Sequence, residues 1–501
     1  MNSIETFYFW FGTIIFFTTY VVIASDKVHK TTAAMAGAML MLLLILKGPV
    51  HEHSEDHILA DSGHDTIEHV VTHSDPPVHI PILEKEKEVM TIHSTMHESQ
   101  KAEVYDRMDV FSRYVDFDVI FTLAGMMLLV NLLSSTGLFQ WVAIKCAKIA
   151  KGCPVTTMLL LVVATAVLSA FLDNVTTVLL IAPVTLLVCA ELGVPVIPFL
   201  MAETISSNIG GTATLIGDPP NLIIGSYVGF SFGDFMINLA PFIIVLVICY
   251  CLALKFYYNG RMNVTVEKRA LIMELDENAA ITDSYNMKRG GAVMILTIFG
   301  FLIHGFVGLQ PSVVAMSGAT LALVFCKVDV DHALEKIEWS TLFFFLGLFV
   351  LVYGAVQVGL MAKFGDYLAL TKDLHPLMII IIIMWVSGIC AAIMNNVSFT
   401  IAMVTIVATF LNDATMPFYS IVTDIQAYKD LLWWGLALAV CLGGNGTIVG
   451  AAANLVTASI AEKNGHKISF VEFIRYGVPV TIFTLIASSA YVSIRYYITC
   501  T

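Results

Sequence analysis

The sequence predicts an all-α polytopic membrane protein, and three observations support this fold class. Of the 501 residues, 57% are hydrophobic and 13% are charged, whereas about 25% of residues in soluble domains are charged. The mean hydropathy is +0.82. Apolar stretches recur at intervals of roughly 20 residues, the length that one helical crossing of a bilayer requires. Finally, the second part of the chain repeats the first.

The apolar stretches predict the crossings in order. The predicted spans are Phe7–Ala24, Thr31–Leu46, Asp118–Leu138, Met201–Ser226, Phe235–Tyr257, Gly291–Phe306, Ser312–Cys326, Ser340–Met361, Leu432–Ala461 and Tyr476–Ile498. Two more stretches, Thr156–Ala190 and Leu377–Leu411, contain central polar clusters, so each is either two helices or one re-entrant hairpin. If both are hairpins, the Lys- and Arg-rich loops all fall on one face, which we predict to be cytoplasmic.

The polar segments divide the chain. We predict two spans in 1–48, an extracytoplasmic loop over 49–117, the rest of a first repeat over 118–258 with a hairpin at 156–190, a cytoplasmic linker over 259–290, and a second repeat over 291–501 with a hairpin at 377–411. The loop contains nine of the 14 histidines. Such a tract could collect zinc or copper, but its irregular spacing and lack of HExxH favour a solvated loop and no metal site.

An internal repeat predicts the architecture. At an offset of 222, Gly125 and Asn174-Val175 align with Gly347 and Asn396-Val397, and at an offset of 233, Gly210-Gly211 and Asn221-Leu222 align with Gly443-Gly444 and Asn454-Leu455. The predicted topology runs corresponding spans in opposite directions. We therefore expect inverted repeats, each of five spans and one re-entrant hairpin, as in many secondary transporters.

Polar clusters interrupt both hairpins and two spans, and they supply the candidate site. Because glycines weaken a helix and Pro219-Pro220 removes two backbone donors, we expect the spans that begin at Met201 and Leu432 to be broken mid-membrane. Polar groups persist inside a membrane only when they are buried in protein or line a cavity. Asn, Ser and Thr could merely bond neighbouring helices, and glycines could merely allow close packing, but both kinds of cluster recur in the two copies. The candidate ion-binding residues are Asp173, Asn174, Thr176, Thr177, Asn208, Thr212, Gly217, Asp218, Asn221, Asn395, Asn396, Ser398, Asn445, Thr447 and Asn454.

Asp173 and Asp218 are the sharpest candidates, and Glu203 is a weaker third. A carboxylate at mid-bilayer costs at least about 2.5 kcal/mol on insertion scales, so it is a functional candidate by default. Asn395 and Ala451 stand at the corresponding positions of the second copy. The charge in the site is therefore asymmetric, and the clusters contain no Lys or Arg as counter-charge for an organic anion.

Two motifs resemble a known family. The segments 169–177 (SAFLDNVTT) and 207–221 (SNIGGTATLIGDPPN) resemble the ion transporter superfamily, and within it the P protein and ArsB/NhaD permease group. The resemblance extends from about residue 118 to the C-terminus. It implies a homodimer of elevator-type transporters, with Asn174, Thr176, Asn396 and Ser398 as hairpin-tip ligands. It also implies that the unwound spans are lined by Thr212, Gly217, Asn221, Thr447 and Asn454.

These features predict a secondary active ion transporter rather than an enzyme. We expect Na⁺/H⁺ exchange, with Asp173 and Asp218 alternating between proton and cation, and with no cofactor. The hairpin tips lack the Ser-Asn-Thr that marks the dicarboxylate branch, which disfavours succinate or citrate. H⁺- or Na⁺-coupled transport of a small anion or oxyacid, such as arsenite or a carboxylate, is the alternative, followed by an ion channel. An intramembrane metal hydrolase would need His or carboxylate ligands that face each other within the bundle, and the membrane histidines are too few and too scattered for such a site.

The expected partners are a small inorganic ion and the lipid bilayer. The formal charge of −13 argues against nucleic acid. The first apolar run lacks a basic lead-in and a small-residue cleavage site, so we expect it to be a retained span. The predicted location is a multi-pass one in a bacterial-type inner membrane.

Overall fold

The computed structural model describes residues 3–25, 28–45, 115–262, 264–274, 276–361, 363–364, 374–412, 416 and 418–500, and all regular elements in them are helical. Within these residues, nine helices are long and apolar enough to cross a membrane, and three shorter apolar helices accompany them. The predicted histidine-rich loop lies outside the described residues, apart from 115–117. All nine cysteines are free.

The first half of the chain contains the elements α1 to α11. They are α1 Ser3–Ser25, α2 Lys30–Ile45, α3 Phe117–Ser134, α4 Leu138–Ile149, α5 Pro154–Phe171, α6 Asn174–Leu192, α7 Val196–Gly211, α8 Pro219–Val228, α9 Phe232–Asn238, α10 Ala240–Tyr258 and α11 Val266–Glu274. The helices α4, α9 and α11 were not predicted separately. The predicted span Met201–Ser226 is divided into α7 and α8.

The second half contains α12 to α21. They are α12 Ser284–Val307, α13 Pro311–Phe325, α14 Val330–Glu335, α15 Trp339–Gln357, α16 Pro376–Ile393, α17 Asn396–Asn412, α18 Phe418–Ile421, α19 Ile425–Gly443, α20 Ala452–Lys463 and α21 Phe470–Thr499. The starts of α15, α16 and α17 each follow those of α3, α5 and α6 by 222 residues. The predicted span Leu432–Ala461 is divided into α19 and α20, with a 3₁₀ turn at Gly444–Gly446 between them.

One helix of each half packs on a helix of the other half. The helix α3 packs on α13, and its counterpart α15 packs on α2. Both crossings depend on a glycine: a Cβ on Gly125 would lie 2.7 Å from the carbonyl carbon of Ala315, and one on Gly347 would lie 2.9 Å from that of Ala34. Because these two glycines are 222 residues apart, the duplication extends to the crossings.

The interrupted apolar stretches are pairs of helices with a short extended break. Leu172 ends α5 with φ −120° and ψ 163°, and Met394 ends α16 with φ −100° and ψ 165°. The next helix begins two residues later in each case, at Asn174 and Asn396. The polar clusters thus lie where the backbone is extended, so their amide groups are available for contacts beyond their own helix.

The linker packs on α4 and on the end of the first hairpin. Glu277, in a 3₁₀ turn at Glu277–Ala280, pairs with Lys148 and Lys145 of α4. A Cβ on Gly193, at the end of α6, would lie 1.9 Å from Nζ of Lys268 in α11. The end of α6 and the start of α7 therefore lie beside the linker, on the face predicted to be cytoplasmic.

Candidate ion-binding site

The four polar breaks meet at one buried cluster. Asn174 donates from Nδ2 to Asn208 Oδ1 at 3.1 Å. Asn208 in turn donates from Nδ2 to Asn445 Oδ1 and to Asn454 Oδ1, both at 2.9 Å. Three of these asparagines, Asn208, Asn445 and Asn454, have no exposed surface. The first hairpin tip, the first broken span and the second broken span are therefore joined through side-chain amides.

Asp218 lies between the two hairpin tips. Asn396, at the tip of the second hairpin, approaches both carboxylate oxygens of Asp218 from Nδ2 at 3.4 and 3.5 Å. Its backbone N–H donates to the carbonyl of Gly450 at 2.8 Å. Asn174, from the first tip, also lies beside the Asp218 carboxylate. One carboxylate from the first copy thus contacts asparagines of both copies.

The two broken spans are held by the same kind of asparagine. Asn221 donates from Nδ2 to the carbonyls of Thr212 and Thr214 at 3.0 and 2.9 Å. Its counterpart Asn454 donates to the carbonyls of Gly444 and Thr447, both at 2.8 Å. These carbonyls lack a partner within an α-helix because the backbone is unwound, and the amides satisfy them without water.

Glycines let the two backbone segments on either side of each break in the broken spans approach closely. A Cβ on Gly217 would lie 2.5 Å from the carbonyl oxygen of Gly211, and one on Gly450 would lie 2.5 Å from that of Gly444. Thr447 donates from Oγ1 to the carbonyl of Ala392 at 2.5 Å, and Thr214 makes the corresponding contact to Ala170. Each broken span is thus tied to the first helix of the hairpin in its own half.

Asp173 and Asn395 cap the hairpins' second helices. The carboxylate of Asp173 accepts hydrogen bonds from the backbone N–H of Thr176, at 2.9 Å, and from the Thr176 hydroxyl. In the second copy, Oδ1 of Asn395 accepts from the N–H groups of Val397 and Ser398 at 3.1 and 3.4 Å. Asp173 is therefore a helix cap as well as a buried charge, and Asp218 alone contacts both tips.

All fifteen predicted site residues are buried. Thr212 donates from Oγ1 to the carbonyl of Asn208 at 2.8 Å. Of the buried side-chain atoms in these fifteen residues, Thr177 Oγ1, Ser398 Oγ and Asn445 Nδ2 have no hydrogen-bond partner in the described part of the chain. Buried polar groups usually have hydrogen-bond partners, so the unpaired hydroxyls of Thr177 and Ser398 are available to a solute bound at the tips.

Sequence reasoning missed two contributors. Cys441 donates from Sγ to Asn221 Oδ1 at 3.3 Å and also lies beside Asp218, although it is not among the predicted site residues. The offset of 233 would have found it, because Cys441 corresponds to Asn208. Tyr20 of α1 donates from its hydroxyl to the carbonyl of Ser398 at 2.8 Å. No local pattern links these residues, which are 378 positions apart.

The electrostatics of the cluster come from helix ends and carboxylates. Helices α6, α8, α17 and α20 all begin at the breaks, and each N-terminus carries about half a positive charge. Together they roughly offset Asp173 and Asp218 when both are ionised. In the described part of the chain, no lysine, arginine or histidine pairs with either carboxylate. An added multivalent anion would therefore gain little counter-charge.

Comparisons with known proteins agree with the fold. A family model described as "Citrate transporter" (CitMHS) matches residues 20–428. The chain is 37% identical over 484 residues to the "46 kDa membrane protein" of Mycobacterium leprae, covering 97% of this chain and 98% of that one. It is 30% identical over 462 residues to the P protein of Homo sapiens, covering 77% of this chain and 54% of the P protein. The resemblance to the P protein group is thereby confirmed.

A solved structure has a similar fold. The YdaH transporter of Alcanivorax borkumensis superposes with a TM-score of 0.55 and 15% sequence identity, covering 93% of this chain and 98% of YdaH. At this identity the likeness concerns the fold alone. The helical fold and the multi-pass membrane location predicted from the sequence are confirmed.

Proposed function

The chain belongs to the citrate transporter family, as the match over residues 20–428 shows, and we propose that this secondary transporter exchanges a small cation, Na⁺ foremost, for H⁺. The observation that carries the proposal is the placement of Asp218. Its carboxylate has no exposed surface, lies within 3.5 Å of the Asn396 amide, and forms no ion pair with a described basic residue.

Such a carboxylate can exchange a proton for a cation. Hard cations bind carboxylate, amide and backbone carbonyl oxygens, and the unwound spans bring all three kinds of oxygen together. In the proposed cycle, Asp218 holds a proton when the site lacks a cation, and it loses the proton when Na⁺ binds. Asn174 and Asn396 orient the carboxylate, and Asp173 contributes a second negative charge while it caps α6.

The transport movement forms part of the same proposal. We take the two halves to be inverted repeats that work as an elevator, in which the hairpins and broken spans move against a scaffold containing the α3–α13 and α2–α15 crossings. The glycine-mediated close contacts of Gly125 and Gly347 suit a rigid scaffold. A homodimer through that scaffold completes the proposal, and cross-linking in membranes followed by mass determination tests it.

Coupled transport of a carboxylate is the second candidate, because the family model is described as a citrate transporter. The near balance of helix ends and carboxylates requires that such an anion enter with a bound cation, or that the aspartates be protonated first. An ion channel would instead show unitary currents. An elevator would not, because each cycle moves its solute in a conformational change that takes microseconds to seconds.

Proteoliposomes distinguish these functions. We expect added Na⁺ to raise the internal pH of acid-loaded vesicles, and D218N to abolish this response. D173N should fold normally, because Asn395 makes the same cap in the second copy, and should weaken exchange. D430N is the matched control, since Asp430 lies 15 residues before Asn445 and bonds Gln426. Citrate uptake without Na⁺-driven alkalinisation would replace exchange with the second candidate.

A further inference from the structure

Glu203 is a buried carboxyl group outside the asparagine cluster. It lies in α7 and is 3% exposed. Its Oε1 accepts a hydrogen bond from Thr185 Oγ1 at 2.6 Å. Its Oε2 is buried and has no partner among the described residues. A glutamic acid kept only to join α6 to α7 would place both oxygens in hydrogen bonds, since an unpaired buried oxygen is costly.

No basic residue in the described part of the chain pairs with Glu203. Besides Thr185, the groups that face it are the thiols of Cys146 in α4 and Cys189 in α6. Within the described residues, it forms no ion pair. The next residue in α7, Thr204, shares a hydrogen bond of 2.5 Å between its Oγ1 and Oγ1 of Thr457 in α20. Because an isolated ionised carboxylate is very costly in a low-dielectric interior, this pocket suits a carboxyl group that carries a proton.

Glu203 lies in α7 between the end of the helix beside the linker and the asparagine cluster. It is seven residues after the start of α7, about 10 Å along the helix axis, and five residues before Asn208, about 7 Å. Ser207 follows Glu203 by four residues, so both share one face of α7. Ser207 donates from Oγ to the carbonyl of Asn174 at 3.1 Å, and Asn174 lies beside Asp218.

From this placement we propose that Glu203 is a proton-binding site of the transport cycle, separate from the cation site at Asp218 and in exchange with the predicted cytoplasmic side. The inference rests on the proposed coupling to H⁺. One proton moves at each exchange and no electrons do: the O–H bond on Oε2 of Glu203 breaks as its proton leaves toward the linker face. When the cation binds, the O–H bond of Asp218 breaks and that proton forms a new O–H bond on Oε2 of Glu203.

The test separates cation movement from proton movement. In proteoliposomes, E203Q should keep Na⁺/Na⁺ counterflow near the wild-type rate, because Gln mimics the protonated acid, while Na⁺-driven proton flux falls about 100-fold, the usual weight of an acid–base group. T185V, which removes the hydrogen bond and keeps the carboxyl group, should retain both activities. Proton flux retained by E203Q would overturn the proposal. So would loss of both activities in E203Q together with loss of both in E203D.

A spectroscopic measurement keeps the inference independent of the transported solute. Difference infrared spectra of the purified full-length protein should show a neutral carboxyl band that disappears as the pH is raised and is missing in E203Q. A band that does not titrate would show that Glu203 never exchanges its proton, and the proposal would be wrong. If the band titrates but no solute drives proton flux in the wild type, the exchange function fails while the proton site stands.

Discussion

Replacing Asn454 by Ala tests whether one side chain holds the second broken span. Its Nδ2 donates to the carbonyls of Gly444 and Thr447, and its Oδ1 accepts from Asn208. Each buried carbonyl left without a donor costs about 1 to 3 kcal/mol. With two such carbonyls, we expect N454A to lower the free energy of unfolding by about 2 to 6 kcal/mol, a large part of the usual total of about 5 to 15 kcal/mol.

Thermal unfolding in detergent measures this effect. Trp433 and Trp434, two of the six tryptophans, are buried in α19, so part of the tryptophan emission reports the packing of the helix that precedes the break. The matched control is N464A at the end of α20, where the amide donates to the Ile460 carbonyl at 2.8 Å and is exposed. We expect less than about 0.5 kcal/mol there. If N454A unfolds at the temperature of N464A, the amide does not hold the break.

Two further changes test the scaffold and the linker. G125L should prevent the α3–α13 crossing and stop the protein accumulating in membranes, whereas G291L, where a Cβ meets nothing within 4 Å, should accumulate normally; equal amounts would refute the crossing. Hydrogen bonds from Lys148 and Lys145 lower the pKa of Glu277 to about 2, below the ordinary value of about 4.3. Linker docking should therefore persist at neutral pH and weaken as the pH falls from about 4.3 toward 2. E277Q should undock the linker at pH 7, seen as faster proteolysis between α10 and α12; unchanged proteolysis would contradict this.

The sequence predicted the elements whose causes are local or repeated. Polar residues at 172–177 and 394–398 interrupt apolar runs, and the structure breaks helices at both places. Glycines and Pro219 predicted the division between α7 and α8 for the same reason, since they weaken a continuous helix. The structure also brings Asn174 and Asn396 together beside Asp218.

Contacts between distant segments could not be predicted in this way. The crossing of Gly125 with Ala315 depends on backbone approach, which a glycine permits but does not specify. The hydrogen bond from Tyr20 to Ser398 joins the first helix to the second hairpin, and a tyrosine in an apolar run gives no sign of its partner. The separation of Glu203 from the asparagine cluster likewise emerged only when α6 and α7 were packed together.

The asymmetry of the two copies explains how a duplicated framework could acquire one chemistry. The amide contacts of Asn221 and Asn454 recur in both halves, so the framework needs no charge to stay folded. The carboxylates occur in the first half only, where Asp173 and Asp218 correspond to Asn395 and Ala451. Because the neutral half keeps the same helix breaks, the aspartates are not required for the fold, and their insertion cost is consistent with selection for the proposed proton and cation exchange.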